Sequence, residues 1–159
     1  MSLQIRPATR ADVPLLRELI QALAEYEREP DAVKASEADL ARSLFDEGAT
    51  AHAVICEQDG VAVGFAVYFF NYSTWLGRNG LYLEDLFVRP HARGQGAGLA
   101  LLRYLARLAV EQGCGRFEWS VLDWNQPAID FYRAAGARPM DQWTVYRMDG
   151  QALADFARG

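Results

Sequence analysis

Lysine is almost absent from this chain of 159 residues: Lys34 stands alone. Lys34 does not follow a glycine loop, so there is no nucleotide P-loop, which needs a lysine directly behind its glycines. Histidine and cysteine are scarce too, at two each. Cys56 and Cys114 have neither disulfide nor zinc spacing, so they read as free thiols of a reducing cytoplasm. His52 and His91 fall in different elements, and no metal site is expected. No apolar run is long enough to span a bilayer. The opening residues MSLQIRPATRADVP contain no apolar signal core, so neither membrane insertion nor export is expected. Basic residues are the minority charge, 16 against 21 acidic, for a net −5. Such a surface does not recruit nucleic acid, whereas it favours a small cationic molecule by long-range attraction.

What is present suits an ordinary globular domain. Apolar residues make up 51% of the chain and charged ones 23%, and the length fits one domain over residues 1–159 with a substantial core. Short apolar runs predict seven strands, at residues 4–7, 51–57, 61–70, 81–88, 116–121, 137–140 and 143–148. Asp59-Gly60 marks a hairpin between the second and third. Residues 71–80, polar and glycine-rich, read as a loop that exposes Trp75. Helices are predicted after Thr9 or Asp12, after Ser36, over 98–112, from an Asn125 cap with Pro127 in the first turn to Ala135, and over 151–156. Mixed strands and helices give an α/β fold on a mostly antiparallel sheet.

The chain is organised around residues 81–112. The apolar run LYLEDLFV contains two adjacent acids, Glu84 and Asp85, and Pro90 ends it because proline has no amide for a ladder. The basic, glycine-rich stretch Arg93-Gly94-Gln95-Gly96-Ala97-Gly98 follows. A helix then places Leu101, Leu102, Leu105, Leu108 and Ala109 on one face. Strand, glycine loop and helix together aim main-chain amides and a helix N-terminus at a phosphate. The spacing does not fit the dinucleotide pattern, since Leu99 stands where its third glycine would be.

The motif that remains, Arg93, Gly96 and Gly98 in Arg-x-x-Gly-x-Gly order, resembles the pyrophosphate signature of the GCN5-related N-acetyltransferases. Asn125, Ala128 and Tyr132 share one helix face at steps of three and four and resemble the second half of that signature, in the right order and one strand later. Further segments, IRPAT at 5–9, LAEYE at 23–27, YSTWLG at 72–77 and DWNQPAIDFY at 123–132, are similar to the diamine and polyamine branch, which includes spermidine/spermine and thialysine acetyltransferases. The likeness covers nearly the whole chain.

The resemblance implies acetyl-coenzyme A as cofactor and a small amine as acceptor. It implies a strand splayed at a bulge, so that the backbone of Leu86, Phe87 and Val88 faces the pantetheine, while Arg93, Gly94, Gln95, Gly96, Ala97, Gly98 and Leu99 hold the pyrophosphate. Asn125, Gln126, Pro127 and Ala128 complete the cofactor contacts. Glu84 would serve as general base if burial raises its pKa, since alkylammonium groups titrate near ~10. Tyr132 would return a proton to the departing thiolate. Tyr26, Glu27, Trp75, Glu84, Asp85, Glu118, Trp119 and Ser120 would wall the acceptor site. Attack would be direct, in a ternary complex. Members of the branch are homodimers, and the apolar stretch from Trp143 to Tyr146 suits such an interface. Three rivals stand beside this reading: a protein or peptide N-acetyltransferase, a non-catalytic acetyl-coenzyme A-binding module, and a structural or partner-binding domain.

Overall fold

The apolar runs of the first three-quarters of the chain pair into one sheet whose spatial order follows the chain order. Its strands are β1 (Leu3–Pro7), β2 (Ala51–Gln58), β3 (Val61–Ser73), β4 (Arg78–Val88) and β5 (Phe117–Trp119). All neighbours are antiparallel except β4 and β5, which run parallel. The computed structural model describes residues 2–159. They fall into two compact units, one ending at Ser120 and the other Val121–Gly159.

In the first unit helices cover both faces of the sheet. On one face α1 (Val13–Tyr26) buries Leu16, Leu19 and Leu23 against Ala53, Ile55, Phe65 and Phe87. These strand residues alternate along β2, β3 and β4, as a pleat requires. The helix is anchored at its start by Arg6 of β1, whose guanidinium donates to both oxygens of Asp12 at 2.8 and 3.0 Å. That bidentate pair holds the Asp12 carboxyl down to about 2. At its far end Arg28 adopts φ 65°, and the amide of Glu29 returns to the carbonyl of Ala24. The chain thereby turns off the helix just beyond Tyr26 and Glu27. A second helix, α2 (Glu37–Phe45), starts on a Ser36–Asp39 capping box. The opposite face of the sheet is covered by α3 (Ala97–Glu111), whose Leu101, Leu102, Leu105 and Ala109 are buried.

The second unit contains α4 (Gln126–Ala134) and α5 (Gly150–Ala157). Two differences from the sequence expectation stand out. The sheet has five strands where seven were expected, because residues 137–140 and 143–148 are not in strands. A strand exists only with a ladder partner, and these residues have none within their unit. Val145 and Tyr146 are instead 81% and 94% exposed. The segment 71–80 is also no loop. Asn71, Tyr72 and Ser73 pair with Gly80, Asn79 and Arg78, leaving only residues 74–77 as the turn. Gly80 faces Asn71 across this ladder, where a Cβ would lie 2.5 Å from the Asn71 Oδ1 in its present rotamer.

Candidate active site

The centre of the site is a bulge in β4. Val67 of β3 pairs with Asp85 and the next residue, Tyr68, pairs with Leu83, so Glu84 is the extra residue. A bulge of this kind shifts the side-chain alternation by one. Before it, Leu83 lies opposite Tyr68, on the α3 face, where Tyr68 neighbours Tyr104 and its hydroxyl pKa is raised by burial and by that neighbour. After it, Asp85 lies opposite Val67 and two residues from Phe87, both packed on the α1 face. The bulge therefore turns Asp85 towards the side of the sheet where α1 ends at Tyr26 and Glu27.

Three carboxylates meet there. Burial, then the charges of Glu84 and Glu27, push the Asp85 carboxyl up to about 6. Glu27 is also raised, by burial first and by Glu84 second. Glu84, at the bulge, is exposed. The burial expected of Glu84 thus falls on its neighbour. No cation of the chain is bonded to Asp85 among the ion pairs of the described residues. A buried carboxyl with further acids beside it favours an incoming positive charge.

The sheet also opens at the bulge. β5 registers with β4 only at Leu81, Tyr82 and Leu83. From Leu86 to Val88 the strand keeps its β3 partners Ala66, Phe65 and Gly64 but has none in β5. That leaves the β5-side edge of Leu86, Phe87 and Val88 without a strand partner. Gly64 makes the last pairing possible, since a Cβ there would sit 2.6 Å from the Phe87 carbonyl oxygen. Beyond Val88 a single 3₁₀ turn, Pro90–Ala92, leads into the glycine loop.

Gly94 and Gly96 both take left-handed conformations, φ 77° and 94°, which side-chain-bearing residues rarely adopt. Gly96 is the residue before α3, and its carbonyl accepts from Ala100 at 2.9 Å. The amides of Ala97, Gly98 and Leu99 precede that first helical bond and are the donors an α-helix leaves unsatisfied. Around Gly94 nothing comes within 4 Å of a built Cβ. Gln95 is tied back by Gln58 at the end of β2, through a 2.6 Å side-chain bond. A fixed loop with open space and unsatisfied amides fits the pyrophosphate of coenzyme A. The side chain of Arg93 does something different: its Nε donates to the Val88 carbonyl at 2.9 Å, and its guanidinium carbon lies 4.7 Å from the Tyr26 ring centroid.

Of the other expected acceptor residues, the structure brings some to β4 and removes one. Glu118 registers with Tyr82, and the Ser120 hydroxyl is 2.9 Å from the Tyr82 hydroxyl, so both flank the strand just before the bulge. Trp119 registers with Leu83. Trp75 is displaced. It sits in the turn of the lengthened β3–β4 hairpin, 81% exposed, and the seven strand steps from Arg78 to Asp85 separate it from the acids by roughly 23 Å. In the second unit, Asn125 caps α4 by accepting from the Ala128 amide, Pro127 lies in the first turn, and Tyr132 follows one turn after Ala128. The Tyr132 ring packs 5.5 Å from that of Phe131.

Sequence reasoning missed the phase shift at the bulge and the stacking of Arg93. The one local signal for the first was two consecutive acids inside an apolar strand.

The chain is similar to known proteins over most of its length. The acetyltransferase (GNAT) family matches residues 16–137. A thialysine N-epsilon-acetyltransferase of Sus scrofa is 39% identical over 98% of both chains. A spermidine/spermine N(1)-acetyltransferase-like protein of Homo sapiens is 34% identical over 97% of this chain and 24% of its own length. Among solved structures, an integron cassette protein from the mobile metagenome of V. cholerae superposes with a TM-score of 0.83 at 30% identity, covering 100% of this chain and 99% of the other.

Proposed function

From its membership of the acetyltransferase (GNAT) family, we propose that this enzyme transfers an acetyl group from acetyl-coenzyme A to a primary amine of a small cationic molecule. The acceptor is a diamine, a polyamine or a thialysine-like amino acid. The observation that carries this reading is the convergence of Glu27, Glu84 and Asp85 beside the opening of the sheet. Glu27 and Asp85 are both raised, by burial first and then by neighbouring acid charge. No ion pair among the described residues engages them, and a substrate with more than one positive centre relieves that repulsion.

The main-chain amides of residues 94–99 and the dipole of α3 bind the pyrophosphate. The unpaired edge of Leu86, Phe87 and Val88 lies along the pantetheine, with Asn125, Gln126, Pro127 and Ala128 as further contacts. An amide of that edge stabilises the oxyanion that develops on the acetyl group. When bound, acetyl-coenzyme A supplies the thioester.

The amine must lose a proton before it attacks. Glu84 and Asp85 form the accepting pair, with the Asp85 carboxyl pushed up to about 6. Moving an acid from its ordinary 3.8 to about 6 narrows the gap to an ammonium near 10 by about 3 kcal/mol. Tyr132 gives its phenolic proton to the leaving thiolate, so transfer is direct and needs no acetylated enzyme. Tyr26, Glu118 and Ser120 border the acceptor. The enzyme works as a homodimer in a reducing cytoplasm; the exposure of Trp143, Val145 and Tyr146 supports the first point and the two free thiols support the second.

The test is thiol release from acetyl-coenzyme A with a panel of spermidine, spermine, diaminopropane, thialysine, lysine and a peptide. Turnover of one or more of the small amines is expected. Turnover of the peptide alone would replace this reading by a protein N-acetyltransferase.

A further inference from the structure

The sequence motif places Arg93 at the head of the phosphate loop, yet its side chain is engaged elsewhere. Nε donates to the carbonyl of Val88 at 2.9 Å, in partly buried surroundings. The guanidinium carbon lies 4.7 Å from the Tyr26 ring centroid and 5.4 Å from that of Phe87. Phe87 belongs to the core cluster beneath α1, whereas the amides of the loop's glycine end run into α3 on the other face of the sheet. The charged plane of Arg93 therefore sits on the α1 side. It joins three things: the open end of β4, the buried ring of Phe87, and the last residue of α1, next to Glu27.

We propose that Arg93 is a positioning residue that clamps the acceptor-side end of α1 to β4, leaving the phosphates to the main-chain amides. The inference rests on the acetyl-transfer reading above and assigns a new role within it. Arginine suits this task and lysine does not. A planar guanidinium can cover a ring with its face while its edge donates to a carbonyl; an ammonium on a flexible stem cannot do both. Through Tyr26 the clamp fixes where Glu27 stands, and so how the second charge of an acceptor is met. Loss of the clamp should be felt by the amine and not by the cofactor.

The experiment uses the full chain with Arg93→Lys, Arg93→Met, Tyr26→Ala and Tyr26→Phe. Coenzyme A binding is followed by calorimetry, and diaminopropane kinetics by thiol release. In both Arg93 variants the Kd for coenzyme A should stay within about threefold of wild type, while the KM for the diamine rises about tenfold, the scale of a partly desolvated cation–π contact. In the Tyr26→Phe background, which keeps the ring, Arg93→Met should raise the KM by the same factor as it does in wild type. Tyr26→Ala should reproduce the rise in KM, and combining it with Arg93→Met should add little more, because the two lose one shared contact. The proposal is overturned if Arg93→Lys retains coenzyme A affinity while Arg93→Met loses it tenfold or more, the pattern of a phosphate ligand. Should the wild type bind coenzyme A but acetylate no amine, the parent reading fails; the Kd comparison then still decides the role of Arg93. Denaturation midpoints of the same double-mutant cycle give a readout free of any ligand. Additive shifts there would show that Arg93 and Tyr26 do not act together.

Discussion

Two adjacent acids, Glu84 and Asp85, share the proposed base site that was expected at Glu84 alone. The sequence made both visible, since acids are costly inside an apolar strand. It did not reveal which one is buried. That depends on the register between β3 and β4, a non-local property, and the bulge at Glu84 decides it. Asp85→Asn should lower kcat/KM by about 10²–10⁴-fold, the usual scale for general-base catalysis. In the wild type kcat/KM should fall as pH drops through about 6, and Asp85→Asn should lose that limb; a limb that persists would move the base elsewhere. The same shift has a stability sign. Because the folded pKa lies above the unfolded 3.8, the folded state holds the extra proton, and stability falls as pH rises from about 4 to about 6. Asp85→Asn should therefore unfold at a higher temperature than wild type at pH 7, a gain in stability at the expense of function. Tyr132→Phe keeps the ring and removes one proton; kcat should drop by about 10²–10⁴-fold with coenzyme A affinity nearly unchanged. A kcat within about twofold of wild type would assign Tyr132 to packing.

The glycine loop and its helix were legible as an element, because the requirement is local: a turn that needs left-handed residues shows itself as glycines. Gly96 at φ 94° confirms the need. Gly96→Val forces a β-branched side chain into a conformation it resists and puts methyl groups among the donors. Coenzyme A binding should be lost in calorimetry while the far-ultraviolet dichroism stays native. Wild-type affinity in the folded variant would place the cofactor elsewhere. The β3–β4 hairpin was not legible. Asn71, Asn79 and Gly80 are poor strand formers and looked like loop, but pairing across the hairpin overrode their propensity. The consequence is functional, because a long hairpin carries Trp75 away from the acids with which it was grouped.

On the scale of the molecule, the family and the fold class were readable because two short motifs occurred in order. The strand count was not, since residues 137–148 carry strand composition without a partner in their unit. Trp143, Val145 and Tyr146 are 68%, 81% and 94% exposed, a patch of the kind that marks an association surface. Val145→Asp combined with Tyr146→Glu should convert a dimer to a monomer in sedimentation equilibrium. A wild-type protein that sediments as a monomer would remove the homodimer from the account. The acidic balance of 21 to 16 acts at this scale as well, drawing cations towards the chain in a salt-dependent way.

The central claim is that a second positive charge on the acceptor is recognised by the acids around the bulge. It is tested most directly by the steady-state kcat/KM for diaminopropane against that for propylamine, with acetyl-coenzyme A saturating. The diamine should be favoured by at least about tenfold, the worth of one charge-assisted contact. Glu27→Gln should narrow that ratio by lowering the diamine value alone. Equal efficiency for the two amines would contradict the claim.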